Sequence, residues 1–337
     1  MIRRASPADK TAVMEMWDRV FGESDAYMEL YFTQKYRDDQ CYLSERDGVI
    51  CSSLQVLPYD FGLWEDRVRM GYISGVATLS EFRGQGEMTQ LLEGTLRGME
   101  QDGYTLATLI PASSSLFGLY RRFGFGTCFH IRSRWVALTP GPGQMLTPWK
   151  GEEIYDCYHR WQSRFPCGVV KSRRDLEVVL REHQAGGGEL WLLTGNGGVE
   201  GMAFVLPGEE DLMVRELLCR HDQEMPVLRT LMRHYGHEQV LLAQGGTEGH
   251  PFGMARAVDL YAMAQQLARR NPTLRREFQV EDPILPRNSG GYQIDRGECI
   301  RTQPKGTLLT VEQATVWLLM GGAGAHATQP YMNLMLN

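Results

Sequence analysis

No run of apolar residues in this 337-residue chain approaches the roughly 20 that a membrane-spanning helix requires. Cysteines number seven, odd and scattered, with no Cys-x-x-Cys pair, so neither a disulfide frame nor a cysteine zinc site is expected. The eight histidines show no metal-ligand spacing, and no metal is expected. Basic residues are outnumbered, 35 Lys and Arg against 41 Asp and Glu. The formal charge of −6 argues against a nucleic-acid binder, which needs a basic face, and favours a cationic or neutral ligand through steering. Arg3 and Arg4 have no apolar stretch behind them, so no signal peptide is read and the expected compartment is the cytoplasm. Glycine and proline punctuate the chain without forming low-complexity tracts.

What is present is ordinary globular composition, 43% hydrophobic and 23% charged, at a length that suggests two or three domains. Residues 1 to about 138 alternate helix and strand. Ser6-Pro7 starts an amphipathic helix carrying Val13, Met16, Trp17, Val20 and Phe21, and Asp25 to Lys35 reads as a second. Cys41 to Thr78 is strand-like, with a hairpin at Asp47-Gly48. Met88, Leu91, Leu92, Thr95, Leu96 and Met99 make a helical stripe closed by Asp102-Gly103, and Thr105 to Ile110 is a short buried strand. Thr139 to Gln144 is the clearest linker. Residues 145–246 echo the first unit, with a hairpin over Glu189 to Val205, a strand over Leu212 to Leu218 and a helix over Pro226 to Tyr235. A third segment, 247–337, shows a helical pattern from Phe252 to Arg270 and an apolar helix from Val311 to Met320.

The strand Ile73-Ser74-Gly75-Val76-Ala77-Thr78 runs into Glu81-Phe82-Arg83-Gly84-Gln85-Gly86, and a helix follows at once. A helix N-terminus offers unpaired N–H groups and a partial positive charge, glycines let the backbone approach an anion, and Arg83 adds charge. A pyrophosphate-containing ligand is expected there. A Walker loop would need Gly-Lys-Ser/Thr, and a dinucleotide fingerprint would need Gly or Ala at 89, which is threonine. The segment resembles instead the pyrophosphate loop of the GNAT N-acetyltransferases, Gln/Arg-x-x-Gly-x-Gly/Ala. Arg83 and Gly86 match, and Met88 departs at the last small position. Leu119-Tyr120-Arg121-Arg122-Phe123-Gly124-Phe125 looks like the Tyr-x-x-x-Gly-Phe signature after the fifth GNAT strand, at the right distance from the loop. The second unit has no Arg-Gly-x-Gly loop, so one cofactor site is expected.

The resemblance implies acetyl-CoA as co-substrate, held by Ser74, Gly75, Val76 and Ala77, by the loop Arg83, Gly84, Gln85, Gly86, Glu87 and Met88, and by Ser113 and Ser114 after the fifth strand. Backbone N–H groups around Val76-Ala77 would polarise the thioester carbonyl, and Tyr120, protonated at neutral pH, would be the general acid. The whole chain further resembles the enhanced-intracellular-survival (Eis) family, through those two motifs together with Gly253 to Asp259, Asn288 to Tyr292 and the ending Pro330-Tyr331-Met332-Asn333. That likeness implies an α/β (α+β) fold of tandem GNAT domains with mixed, mostly antiparallel sheet, 1–138 active and 145–246 degenerate, followed by a sterol-carrier-like domain, 247–337. It also implies a homohexamer that acetylates small polycationic amines of aminoglycoside or polyamine type, with the chain's terminal carboxylate, here on Asn337, as general base. Family members end in phenylalanine, which helps bury that carboxylate, whereas this chain ends Leu336-Asn337. Asp25 and Glu29 are candidates to face a cationic substrate. The alternatives are acetylation of protein lysines or N-termini, and a lipid- or partner-binding protein with a vestigial acetyltransferase domain.

Overall fold

The computed structural model describes residues 1–195, 197–245, 249–322 and 329–335. Asn337, expected as the base, lies outside the described residues. In the first unit the strands are Ile2–Arg4 (β1), Cys41–Arg46 (β2), Val49–Leu63 (β3), Asp66–Thr78 (β4), Leu106–Leu109 (β5) and Gly126–Ala137 (β6). Its helices are Lys10–Phe21 (α1), Asp25–Gln34 (α2), Glu87–Gln101 (α3) and Leu116–Arg121 (α4). The hairpin at Asp47-Gly48 forms as expected, both residues taking positive φ, which suits the right-handed twist of the flanking strands. α1 buries Val13, Met16 and Trp17 and ends on Gly22 in the left-handed conformation.

The second unit holds Leu146–Pro148 (β7), Cys167–Val170 (β8), Glu189–Gly195 (β9), Gly198–Pro207 (β10), Leu212–Leu218 (β11) and Gln239–Gly245 (β12). Tyr155–Gln162 (α5), Arg173–Ala185 (α6) and Glu224–Tyr235 (α7) are its helices. β11 pairs with β12 in parallel, Met213 opposite Leu241, as β4 pairs with β5, Met70 opposite Leu106. The echo read in the sequence is therefore a repeat of topology. The residues joining β11 to α7, Cys219 to Gln223, include no glycine.

The third segment departs from expectation at its start. Phe252 to Arg270 is not one helix. His250–Ala257 is a strand (β13), and the helix Leu260–Arg270 (α8) begins only after Asp259, whose side chain accepts from the Ala262 N–H as its N-cap. Met254, Ala255, Arg256 and Ala257 are all buried, and a short continuously buried run does not reveal by periodicity whether it is strand or helix. β13 inserts between β5 and β6, antiparallel to both. One sheet of 13 strands thus runs through the described residues, from β1 to β5, through β13 and β6, to β12, β11, β10, β9 and β7, with β8 pairing onto β3. The rest of the segment is a second sheet of Arg276–Glu281 (β14), Gly290–Asp295 (β15), Glu298–Thr302 (β16) and Thr307–Thr310 (β17), covered by α8 and Val311–Leu319 (α9). No helix of the described residues is long and apolar enough to cross a membrane. None of the seven cysteines forms a disulfide.

Two buried charges tie these pieces together. Arg256 and Asp282 are both fully buried and 2.6 Å apart. Arg256 also donates through Nε to the Phe123 carbonyl (2.6 Å) and through a terminal nitrogen to that of Ala257 (2.9 Å). Asp282 accepts from the Ile284 and Leu285 amides and from the Asn288 side chain. A buried ion pair stands only when its remaining donors and acceptors are met, and here they are. Near the chain's end, the Tyr331 ring stacks on Phe165 at 3.8 Å while its backbone bonds to Cys167 and Val169 of β8. The buried Lys171 ammonium donates to the Asn333 carbonyl at 2.6 Å; burial lowers its affinity for a proton and the nearby Glu216 carboxylate opposes that.

Removing the countercharge with Asp282→Ala leaves Arg256 buried and unpaired. We expect a loss of about 3–5 kcal/mol in urea unfolding. A loss below about 1 kcal/mol, the size of an ordinary surface pair, would show the ion pair to be incidental.

Candidate active site

β4 and β5 are paired only from Met70–Leu106 to Tyr72–Thr108. Beyond Tyr72 the two strands part, β4 running on to Thr78 against β3 alone. The cause is local. Opposite β3, Ser53 faces Ala77 but Gln55 faces Ser74, so β4 carries one extra residue at Gly75-Val76. Gly75 takes φ +60°, and a Cβ there would lie 1.8 Å from the Trp17 ring. Only glycine fits. A bulge of this kind bends its strand and leaves the extra residue outside the ladder.

The gap is a cavity of about 430 Å³, walled on one side by Ile73 to Val76 and on the other by Leu109 to Ala112. A second groove of about 610 Å³ runs along the start of α3, lined by Val76, Thr78, Arg83, Gly84, Gly86 and Met88 among others. The two share Val76, Leu116 and Tyr120. Tyr120 therefore stands where they meet. It lies in the last turn of the short helix α4, is 7% exposed, and its ring meets Phe125 edge-on at 6.2 Å. Burial pushes its phenol up to about 12, so it holds its proton at neutral pH.

The groove suits an anion. No side chain caps the start of α3, so its first N–H groups are left for a ligand. Gly86, at φ +85°, turns the chain into that helix, and a Cβ on Gly84 or Gly86 would meet nothing within 4 Å. Arg83 anchors the loop by donating to the Thr78 carbonyl at 3.1 Å. Glu87 lies in the first turn, where its charge would compete with a phosphate, yet its side chain is buried and turned toward β2. There Ser44 and the Arg46 guanidinium hold it. Its backbone, not its carboxylate, is what the groove can use.

The expected site residues are thus partly assembled. Ser74, Gly75 and Val76 line the cavity, while Ala77 is buried against Met16 and Leu79. Gln85 is engaged by Arg46 at 2.6 Å and by the Glu81 carbonyl, outside the groove lining. Ser113 and Ser114 are exposed at the start of α4, Ser113 bonding to Ser115 rather than lining either space. Asp25 and Glu29 are exposed on α2 and do not line the cavity. The lining carboxylate is Glu23, in the turn between Gly22 and Ser24, together with Trp17, Phe21 and Tyr27. The sequence held one signal for it, a helix stop at Gly22 followed by an N-cap at Ser24, which isolates Glu23 in an interhelical turn. Arg122 also lines the groove. Among the described residues no cluster of three or more His, Cys, Asp or Glu could hold a metal.

Residues 1–128 match the family model described as an acetyltransferase (GNAT) domain. That match spans the unit that holds both the cavity and the groove. GNAT acetyltransferases use acetyl-CoA as co-substrate, and the chain is an acyl-transferring enzyme. The fold is shared over nearly the whole length with solved structures. One is a conserved protein of unknown function and probable N-acyltransferase from Enterococcus faecalis (17% identity, 95% of this chain and 89% of that one, TM-score 0.79). A GCN5-related N-acetyltransferase from Anabaena variabilis matches at 16% identity over 94% and 89%, TM-score 0.77. Eis1 from Mycobacterium abscessus matches at 15% identity over 95% and 90%, TM-score 0.74. No curated protein matches this sequence.

Within this unit Arg46 acts at a distance from the groove by neutralising Glu87. Arg46→Ala is expected to weaken CoA binding about tenfold, near 1.4 kcal/mol, as measured by calorimetry, and adding Glu87→Gln to restore it. Unchanged affinity in Arg46→Ala would show that the Glu87 charge does not reach the bound anion.

Proposed function

We propose that the chain transfers the acetyl group of acetyl-CoA to an amine. The carrying observation is that one phenol, Tyr120, lines both the anion-suited groove and the cavity opened by the parting of β4 and β5. In this reading the N-terminus of α3 and Arg83 receive the pyrophosphate, and the edge of β4 from Val76 to Thr78 guides the pantetheine arm inward. The bulge at Gly75-Val76 frees backbone N–H groups to polarise the thioester carbonyl, a role worth a few kcal/mol when donors are preorganised. The acceptor, bound as its ammonium, first loses one proton through Glu23 to solvent; the neutral nitrogen then attacks the carbonyl carbon, the C–N bond forms and the C–S bond breaks. Tyr120 gives its proton to the departing sulfur. The second nitrogen proton passes to Glu23, the carboxylate lining the acceptor cavity among the described residues, and solvent returns a proton to Tyr120.

The lipid-binding alternative finds less support. The face of the second sheet against α8 and α9 is filled by its own side chains, Phe278, Tyr292, Ile294, Met263, Leu267 and Leu318, all buried. Assembly as a homohexamer rests on the Eis resemblance and is checked by light scattering after size exclusion.

Tyr120→Phe is expected to lower kcat by about 10²-fold or more, within the usual range for a lost general acid, with CoA affinity retained. Unchanged kcat would remove Tyr120 from the chemistry. Because burial holds this phenol near pH 12, the wild-type rate should not fall around pH 10, where an ordinary tyrosine would be half ionised. An alkaline limb centred there would contradict the assignment.

A further inference from the structure

The walls of the acceptor cavity say which amine fits, given the acetyl-transfer reading above. Trp17, Phe21, Tyr27 and Tyr72 line it with Ile110 and Pro111, and one carboxylate, Glu23, is the acidic group among the described lining residues. The aromatic wall is fixed by its own packing. Trp17 meets Phe21 edge-on at 5.4 Å and Tyr31 at 4.4 Å, and Tyr27 stacks on Tyr31 at 6.0 Å. Trp17 is 2% exposed, and its indole N–H finds no acceptor among the described residues. Phe21 is 39% exposed, an aromatic ring left open at the cavity rim.

Three cations on neighbouring elements are engaged. Arg19 is paired with Glu81 at 3.1 Å, Lys35 with Asp175 at 2.5 Å, and Arg83 is bonded to a carbonyl. Glu23 has no cationic partner among the described residues, and no Lys or Arg lines the cavity. Burial raises the Tyr27 and Tyr72 phenols above their ordinary range, so both stay neutral and bring no charge of their own to the cavity. A single carboxylate satisfies a single ammonium. Further ammonium groups would have to be desolvated against aromatic and aliphatic walls without partners, which is costly. An aromatic body would instead gain ring–ring contact with Phe21 and Trp17, and its ammonium a cation–π contact beside Glu23.

We propose that the acceptor is an arylalkyl monoamine, its ammonium received by Glu23 and its ring seated among Trp17, Phe21 and Tyr27. Selection follows from the cavity's one open charge and its aromatic lining. Polycations, whose second and third charges find no partner there, are disfavoured.

The test is CoA release by the full chain with acetyl-CoA and four acceptors: tryptamine, 2-phenylethylamine, spermidine and kanamycin, alongside a lysine-containing peptide. The expected result is kcat/KM for the two arylalkylamines at least about tenfold above the rest. In Phe21→Ala, KM for 2-phenylethylamine should rise several-fold while KM for acetyl-CoA holds. Glu23→Gln should lower kcat/KM for tryptamine by about tenfold or more. Preference for spermidine, kanamycin or the peptide overturns this acceptor assignment and leaves acetyl transfer standing. An acetyl-CoA thermal shift without turnover of any amine overturns the assignment too. Absence of both the shift and turnover removes the acetyltransferase reading itself.

Discussion

The buried pair of Arg256 and Asp282 is the interaction on which the arrangement depends. Neither charge could remain in the interior alone, and together they still leave donors and acceptors that must be met. Those are met by the Phe123 and Ala257 carbonyls and by the turn from Asp282 to Asn288. The Phe123 carbonyl belongs to the segment immediately after Tyr120. A strand from the third segment and a turn beyond it therefore brace the helix end that carries the proposed acid. The C-terminal unit thereby holds the segment that follows Tyr120.

The same insertion explains why the units cannot be cut apart cleanly. β13 lies between β5 and β6, β12 pairs with β6, and β8 pairs with β3. A boundary near 247 falls just before a strand that belongs to the first unit's sheet. Each unit completes the hydrogen bonding of another, which protects strand edges that would otherwise be open to association. The residues Tyr331 to Met335 close the seam, held by Phe165, β8 and the Lys171 ammonium.

The site itself is made by one extra residue. The bulge at Gly75-Val76 ends the pairing between β4 and β5, and two ligand spaces open on either side of Tyr120. Trp17 supports the bulge from behind, and the same ring forms part of the acceptor wall. Glu87 shows a second constraint, a carboxylate in the first turn of a helix whose N-terminus is uncapped, turned away from the groove by burial against Ser44 and Arg46.

The glycine loop, the tyrosine motif, the Asp47-Gly48 hairpin and the absence of a loop in the second unit were legible in the sequence, because each is set by neighbours a few residues away. Backbone conformation, capping and helix dipoles act over such distances, so local spelling determines them. The acceptor wall was not legible. Asp25 and Glu29 carry the right charge, but only packing of α1 and α2 against β4 decided that Glu23 reaches the cavity and they do not. The run from Phe252 to Val258 was ambiguous for a related reason. A short buried segment looks alike as strand or helix, and its state was decided by the gap between β5 and β6 that it fills. Sequence thus determined the motifs of an acyl-transferring fold; tertiary structure decided what lines the cavity beside Tyr120, since that wall is assembled from residues distant in the chain.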